Sequence, residues 1–435
     1  MNDSSSCCDI PVFILAGGES DNFSKLGSTL IKALLKIGTK TLLQNTIDNL
    51  VVSGFKDLRI ITNDELSASI QDHVITCSKD WESYNPSIEV HGISFCDHQG
   101  TTDAVRAFAK STDTPFMVVP CDFYGKFDFK AVAREHFRSK RLCTIALVES
   151  EKKTVDNQLA LGGCEVETWD YKYRVISTLD ESKGQIVGIS QAISVESGEK
   201  HEIFKWHSLK HQHCVILRNL VDVHIYVFSN DIFKMFGVYK NSSIRLDVIP
   251  FIVKMQETPV LKVCIDSGDL PGQTDEIYDK QWKRHELDND FDDTRVFYFI
   301  GSGDSFKISR VNSIDAFYLA NMRECTSKSA SASGSKITKA KNTISGENPN
   351  VDSTASIKNC VFGDNVQIGA NAKVTNCVVM DGCKLEGEVT LDRSVIGKSV
   401  TVGEKSKLKN VVVLSDYVIP KETLIDRDYL PPFIE

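Results

Sequence analysis

The stretch Phe13-Ile-Leu-Ala-Gly-Gly-Glu-Ser-Asp-Asn-Phe-Ser-Lys-Leu26 sets an apolar run before a Gly17-Gly18 turn. A turn in that position can cradle phosphate with its backbone N–H groups. The residues after it oppose that chemistry. Ser20 disfavours the positive-φ backbone that phosphate turns commonly use. Asp21, held roughly 4 Å from a triphosphate, would repel it by about 4 kcal/mol per charge pair at an effective dielectric near 20. Asn22 is short and neutral and makes no bidentate phosphate contact. Further along stand Lys32, Gly100 at the start of a Gly-Thr-Thr-Asp segment, and Asp122 at the end of a strand, where an Asp can also cap the following turn.

Other groupings promise less. His201, His207, His211 and His213 lie close to Cys214, but no pair takes the spacing of a known metal site, so a polar loop is expected and no metal. Asp288, Asp290 and Asp292 mimic the start of a calcium loop, yet Asp293 and Phe299 stand where its glycine and glutamate belong. The 13 cysteines are odd in number and none form a Cys-x-x-Cys pair, so they read as buried small hydrophobes in a reducing cytosol. A net charge of -9 without a basic tail argues against direct nucleic-acid binding, and no long apolar run argues for a membrane span.

The elements that must position these residues alternate. Strands are expected at Ile10 to Gly17, Leu58 to Thr62, Ile88 to Ser94, Phe116 to Pro120, Cys143 to Val148 and Val221 to Phe228. Helices are expected around Leu43 to Val51 and Phe129 to Phe137, and over Ile244 to Met255 apart from Pro250. Such alternation predicts a mostly parallel sheet covered by helices on both faces, over residues 1–265. Residues 266–324 read as a connecting segment packed with it, and 325–350, with its Ser-rich run, as a flexible linker.

Residues 351–435 carry the strongest pattern. From Lys358, four blocks of 17 align, with Val361, Val378, Val395 and Val412 in the fourth column. The eleventh column holds Ile368, Leu385, Val402 and Ile419, and the last holds Val374, Leu391, Leu408 and Ile425. A fixed period with a six-residue sub-period predicts a hexapeptide parallel β-helix, whose open end coils favour assembly with a partner.

Leu15-Ala-Gly-Gly18, Gln99-Gly-Thr-Thr-Asp-Ala104, Pro120-Cys-Asp-Phe123 and the β-helix tail together resemble the nucleotidyltransferases that make sugar nucleotides. That resemblance implies a Rossmann-like α/β domain followed by a left-handed parallel β-helix. Against the family's pattern, Ser20, Asp21 and Asn22 replace Gly, Thr and Arg, Lys25 stands for a proline, and Ile31-Lys32-Ala33 stands for Pro-Lys-Pro. Three longer stretches, Val221 to Phe228, Ser243 to Lys254 and Arg310 to Asn321, look like the gamma subunits of eukaryotic translation initiation factor 2B.

This second resemblance implies a non-catalytic subunit of a cytosolic exchange complex. Its partners would be an epsilon-type catalytic subunit, the other subunits of that complex and initiation factor 2. No cofactor is expected, and Gly17, Gly18, Ser20, Asp21, Asn22, Lys32, Gly100 and Asp122 would be a vestigial nucleotide pocket. The alternative is an active, magnesium-dependent sugar-nucleotide pyrophosphorylase. A β-helix acyltransferase is disfavoured because no histidine follows His285.

Overall fold

A computed structural model describes residues 6–17, 23, 26, 30–94, 100–108, 113–138, 141–150, 173–201, 203, 205–211, 213–238, 242–258, 261, 294–326 and 340–430. Among the described residues, thirteen strands precede residue 311. They are β1 (Val12–Leu15), β2 (Lys36–Ile37), β3 (Lys40–Thr41), β4 (Asp57–Asn63), β5 (Ser87–Ile93), β6 (Phe116–Pro120) and β7 (Phe123–Gly125). There follow β8 (Cys143–Glu149), β9 (Arg174–Asp180), β10 (Gln185–Gln191), β11 (Cys214–Phe228), β12 (Val296–Gly301) and β13 (Ile308–Arg310).

Nine of them form one sheet in the order β5-β4-β1-β6-β11-β8-β12-β10-β9. Pairing is parallel from β5 to β6 and again between β8 and β12, but antiparallel where β11, β9 and β10 join. The expectation of a mostly parallel sheet therefore holds for one half. β11 departs from the expected strand by starting at Cys214, because its exposed first half pairs with β9.

Alternate residues of β1 serve two cores. Val12 and Ile14 join one apolar cluster and Phe13 the other, as a period of two demands of a strand covered on both faces. The helix Leu42–Val52 buries Leu43, Ile47, Leu50 and Val51 against the first cluster, is capped by the Thr41 hydroxyl accepting from Gln44 N, and stops before Gly54 at φ +97. Expected helix 244–255 divides into a π-helical turn, Ile244–Val248, and an α-helix, Ile249–Met255, whose first turn accommodates Pro250.

The C-terminal region is a set of short parallel strands paired at a spacing of 17. Val361 faces Val378, which faces Val395, which faces Val412; Ile368, Leu385, Val402 and Ile419 form a second ladder, and Val374, Leu391, Leu408 and Ile425 a third. Lys407–Val413 joins two of the ladders, so the sheet curls like a half-barrel around a core that includes Cys360, Cys377 and Cys383. Positive-φ residues recur at its corners, among them Asn359, Asn376, Arg393 and Asn410. Pairing begins earlier than Lys358: Ile344 faces Val361 and Val351 faces Ile368, within or beside the stretch read as a linker.

This array packs against the α/β region. Phe23, Leu26, Leu35, Ile37 and Phe317 share one apolar cluster with Val378, Met380, Val395 and Val412. Lys36 pairs with Asp364 and Asp381, Tyr318 donates to the Asn376 carbonyl at 2.9 Å, and Ser415 Oγ donates to the Leu26 carbonyl at 2.6 Å. Through Phe23, Leu26, Leu35, Lys36 and Ile37 the array thereby braces the part of the chain that carries Lys32.

Candidate active site

In an open α/β sheet, ligands bind beyond the carboxyl ends of the strands where the strand order reverses. Here that point lies between β1 and β6, since the chain runs outward through β4 and β5 on one side of β1 and returns to its other side at β6. Gly17 follows β1 and Asp122 follows β6, and the Cys121 N–H donates to the Leu15 carbonyl at 3.1 Å to hold the two exits together. A side chain at residue 17 would meet Asn63 Oδ1 at 2.8 Å, so glycine is needed for close backbone approach.

Asp122 is the centre of a charged cluster. Lys32, on a single 3-10 turn, lies 2.5 Å from Oδ2, and Arg310 Nη2 lies 2.6 Å from Oδ1. Pairing of β13 with β7 sets Arg310 opposite Phe123, and the Val311 N–H donates to the Asp122 carbonyl at 2.7 Å. Side-chain exposure falls from 18% at Lys32 and 13% at Asp122 to 5% at Arg310, so the cluster opens on the lysine side. Burial pushes the Asp122 carboxyl up, but Arg310 and then Lys32 outweigh it and hold it well below the usual carboxylate range.

A second layer surrounds Arg310. Tyr173 accepts from Asn312 Nδ2 at 2.7 Å, with the Arg310 and Arg245 guanidinium carbons 4.9 Å and 4.8 Å from its ring centre. Asp222 accepts from the Tyr226 hydroxyl and the His224 N–H, each at 2.8 Å, and burial raises its pKa against the pull of Arg245. His224 has φ +60 at a register shift between Asp222 and Tyr226, the irregularity that turns both side chains. Burial, then Arg310, keeps its imidazole far below the ordinary value and hence neutral.

Gly100 is structural as well as local. It precedes the helix Thr101–Arg106, and a Cβ there would stand 2.0 Å from the Ser242 carbonyl. Of the sequence-predicted residues, Lys32 and Asp122 meet directly, while Gly17 and Gly100 line closely packed backbone. Gly18, Ser20, Asp21 and Asn22 lie outside the described residues, as do Lys25, Asp288, Asp290, Asp292 and the Ser-rich run. Sequence reasoning missed Asp222, His224, Arg245, Arg310 and Asn312, although the three longer stretches quoted for their resemblance contain all five.

A divalent cation does not fit this arrangement of Asp122. Both carboxylate oxygens already face a cation, and a metal would have to displace one of them against like-charge repulsion.

Residues 12–157 match the family model described as nucleotidyl transferase, and residues 340–433 match that described as the GMPPB C-terminal domain. No individual curated protein matches the chain. These matches correct the reading as a gamma subunit of initiation factor 2B, and with it the non-enzyme status, the translation role and the exchange-complex partners. The physical ground of that reading is a phosphate loop without its arginine; among the described residues, Arg310 brings a buried guanidinium to Asp122 from β13.

Proposed function

We propose that the chain is a sugar-nucleotide pyrophosphorylase of the GDP-mannose pyrophosphorylase type. In this reaction a sugar 1-phosphate oxygen attacks the α-phosphorus of a nucleoside triphosphate. The new phosphoanhydride bond replaces the bond to the leaving pyrophosphate, which departs with that electron pair. The observation that carries the reading is the Lys32–Asp122–Arg310 cluster at the switch point of the sheet, in a chain whose two ends match the corresponding family models.

Lys32 and Arg310 together outnumber Asp122, so the cluster favours an anion. Asp122 holds two cations in fixed positions before substrate arrives, which lowers the reorganisation needed as charge moves onto the leaving pyrophosphate. Lys32, the more exposed of the two, is the first to meet a phosphate, and Arg310, backed by the Tyr173 ring, is the fixed charge behind it. Gly17 and Gly100 then belong to the closely packed backbone around a working site.

The same reading takes residues 1–265 with 266–324 as the nucleotidyltransferase unit and the C-terminal array as a left-handed parallel β-helix, supported by its 17-residue ladders. Pyrophosphate release by the full chain, with each nucleoside triphosphate against a panel of sugar 1-phosphates that includes mannose 1-phosphate, tests it. Release that requires both substrates is expected. Silence across the panel, with no ligand raising the melting temperature, would overturn it.

A further inference from the structure

We propose that His207, His211 and Glu257 form a zinc site, with Asp180 and the Lys254 carbonyl orienting the two imidazoles. The histidines do not lie in a polar loop. His207 is on the helix Lys205–Lys210 and His211 follows it, its N–H donating to the His207 carbonyl at 2.8 Å, so the two rings leave one face four residues apart. Both are buried, as is Glu257, and one ligand atom from each lies within 4.8 Å of the others.

The geometry around each ring is that of a metal ligand. His211 Nδ1 lies 2.8 Å from Asp180 Oδ2 and its Nε2 lies 3.0 Å from Glu257 Oε2. A tetrahedral zinc ion with ligands about 2.0 Å away sets its donor atoms about 3.3 Å apart, close to that separation. His207 Nε2 donates to the Lys254 carbonyl at 3.2 Å, which assigns Nδ1 as the nitrogen that carries the lone pair. Each imidazole thus has one nitrogen fixed by an oxygen acceptor, the outer-shell arrangement that orients metal-ligating histidines.

Glu257 is also held in place. Its backbone adopts φ +57, an uncommon conformation for a residue with a Cβ, its N–H donates to Thr294 Oγ1 at 3.1 Å, and Arg295 Nε lies 3.0 Å from Oε1. Oε2 is left to face His211. Two nitrogens and one carboxylate oxygen suit zinc, and three protein ligands leave a fourth position for water. Zinc would take the place of the direct contact between His211 Nε2 and Glu257 Oε2. The competing arrangement is an ionic network only, with a protonated His211 between Asp180 and Glu257.

The test uses the full chain, stripped with a chelator and titrated with zinc against a chromophoric competitor. One zinc per chain is expected, with Glu257→Gln and His211→Gln abolishing it. Asp180→Asn, which removes only the orienting carboxylate, should weaken binding by roughly 10- to 100-fold. Cobalt substitution should give ligand-field bands without a thiolate charge-transfer band, which separates this site from the cysteines. Circular dichroism of each apo variant confirms folding. Zinc uptake unchanged in folded Glu257→Gln or His211→Gln, a thiolate band, or no zinc uptake at all would overturn the proposal and leave the ionic network only.

Discussion

Replacing Arg310 with Met removes a buried guanidinium and leaves Asp122 to Lys32 alone. Breaking a buried ion pair from one side typically costs about 3–5 kcal/mol. Asp122 keeps one cation and is 13% exposed, so the lower end applies, about 3 kcal/mol. Loss of the contact over Tyr173, at 4.9 Å, adds about 0.5–1 kcal/mol. At roughly 2 °C per kcal/mol for a unit of this size, the melting temperature should fall by about 7 °C.

Urea denaturation of the wild type, Arg310→Met, Asp122→Asn and the double variant gives the coupling. The double variant should be at least about 1 kcal/mol more stable than the sum of the single losses predicts, because neither Asp122 nor Arg310 is then left facing a missing partner and only the more exposed Lys32 loses one. The acid limb carries the same information. The folded pKa of Asp122 is depressed, so its contribution is present above the unfolded value near 3.9 and is lost as pH falls toward the folded one; Arg310→Met should shrink that loss. Additive single costs, or an Arg310→Met loss below about 0.5 kcal/mol, would refute the claim that Asp122 and Arg310 act as one unit.

Three further outcomes are expected. Gly100→Ala should cost about 1–3 kcal/mol in chemical denaturation, since its Cβ would fall 2.0 Å from the Ser242 carbonyl. His136 is pushed down to about 3 by burial, then by Arg141, so its neutral form contributes stability above about pH 6.5 that is lost as pH falls toward 3; His136→Gln should flatten the stability profile by about one proton's slope across that window. Lys36→Met should cost less than about 1 kcal/mol and lose its effect at high salt, because the pair with Asp364 is one-third exposed on each side.

Legibility followed the range of the interactions. The alternation of Val12, Phe13 and Ile14 and the helical spacing of Leu43, Ile47, Leu50 and Val51 are local, and the sequence states them directly. The 17-residue ladders are long in contour but repetitive in chemistry, so column matching found them. The earlier copy at 341–357 places Ile344, Val351 and Ile357 in the same columns, yet the Asn, Ser, Gly and Pro content of 341–350 masked its first half as a linker.

Lys32 and Asp122 were legible as candidates, but their mutual contact was not. Arg310 was hidden because only the pairing of β13 with β7 brings it to Asp122. An arginine set close between Ile308 and Val311 is a local signal of its burial that could have found it. The start of β11 was missed for a different reason: residues 214–219 are largely exposed, and only pairing with β9 makes them a strand. His207 and His211 looked like loop residues because a six-residue helix offers too few turns to establish a period.

The measurement that bears most directly on the account is pyrophosphate release by the full chain with GTP and mannose 1-phosphate, extended to the wider panel and repeated with Arg310→Met and Lys32→Met. The account predicts release that needs both substrates and falls by on the order of 10²- to 10³-fold on loss of either cation. Release unaffected by both variants, or none from the folded wild type with any substrate pair, would contradict it.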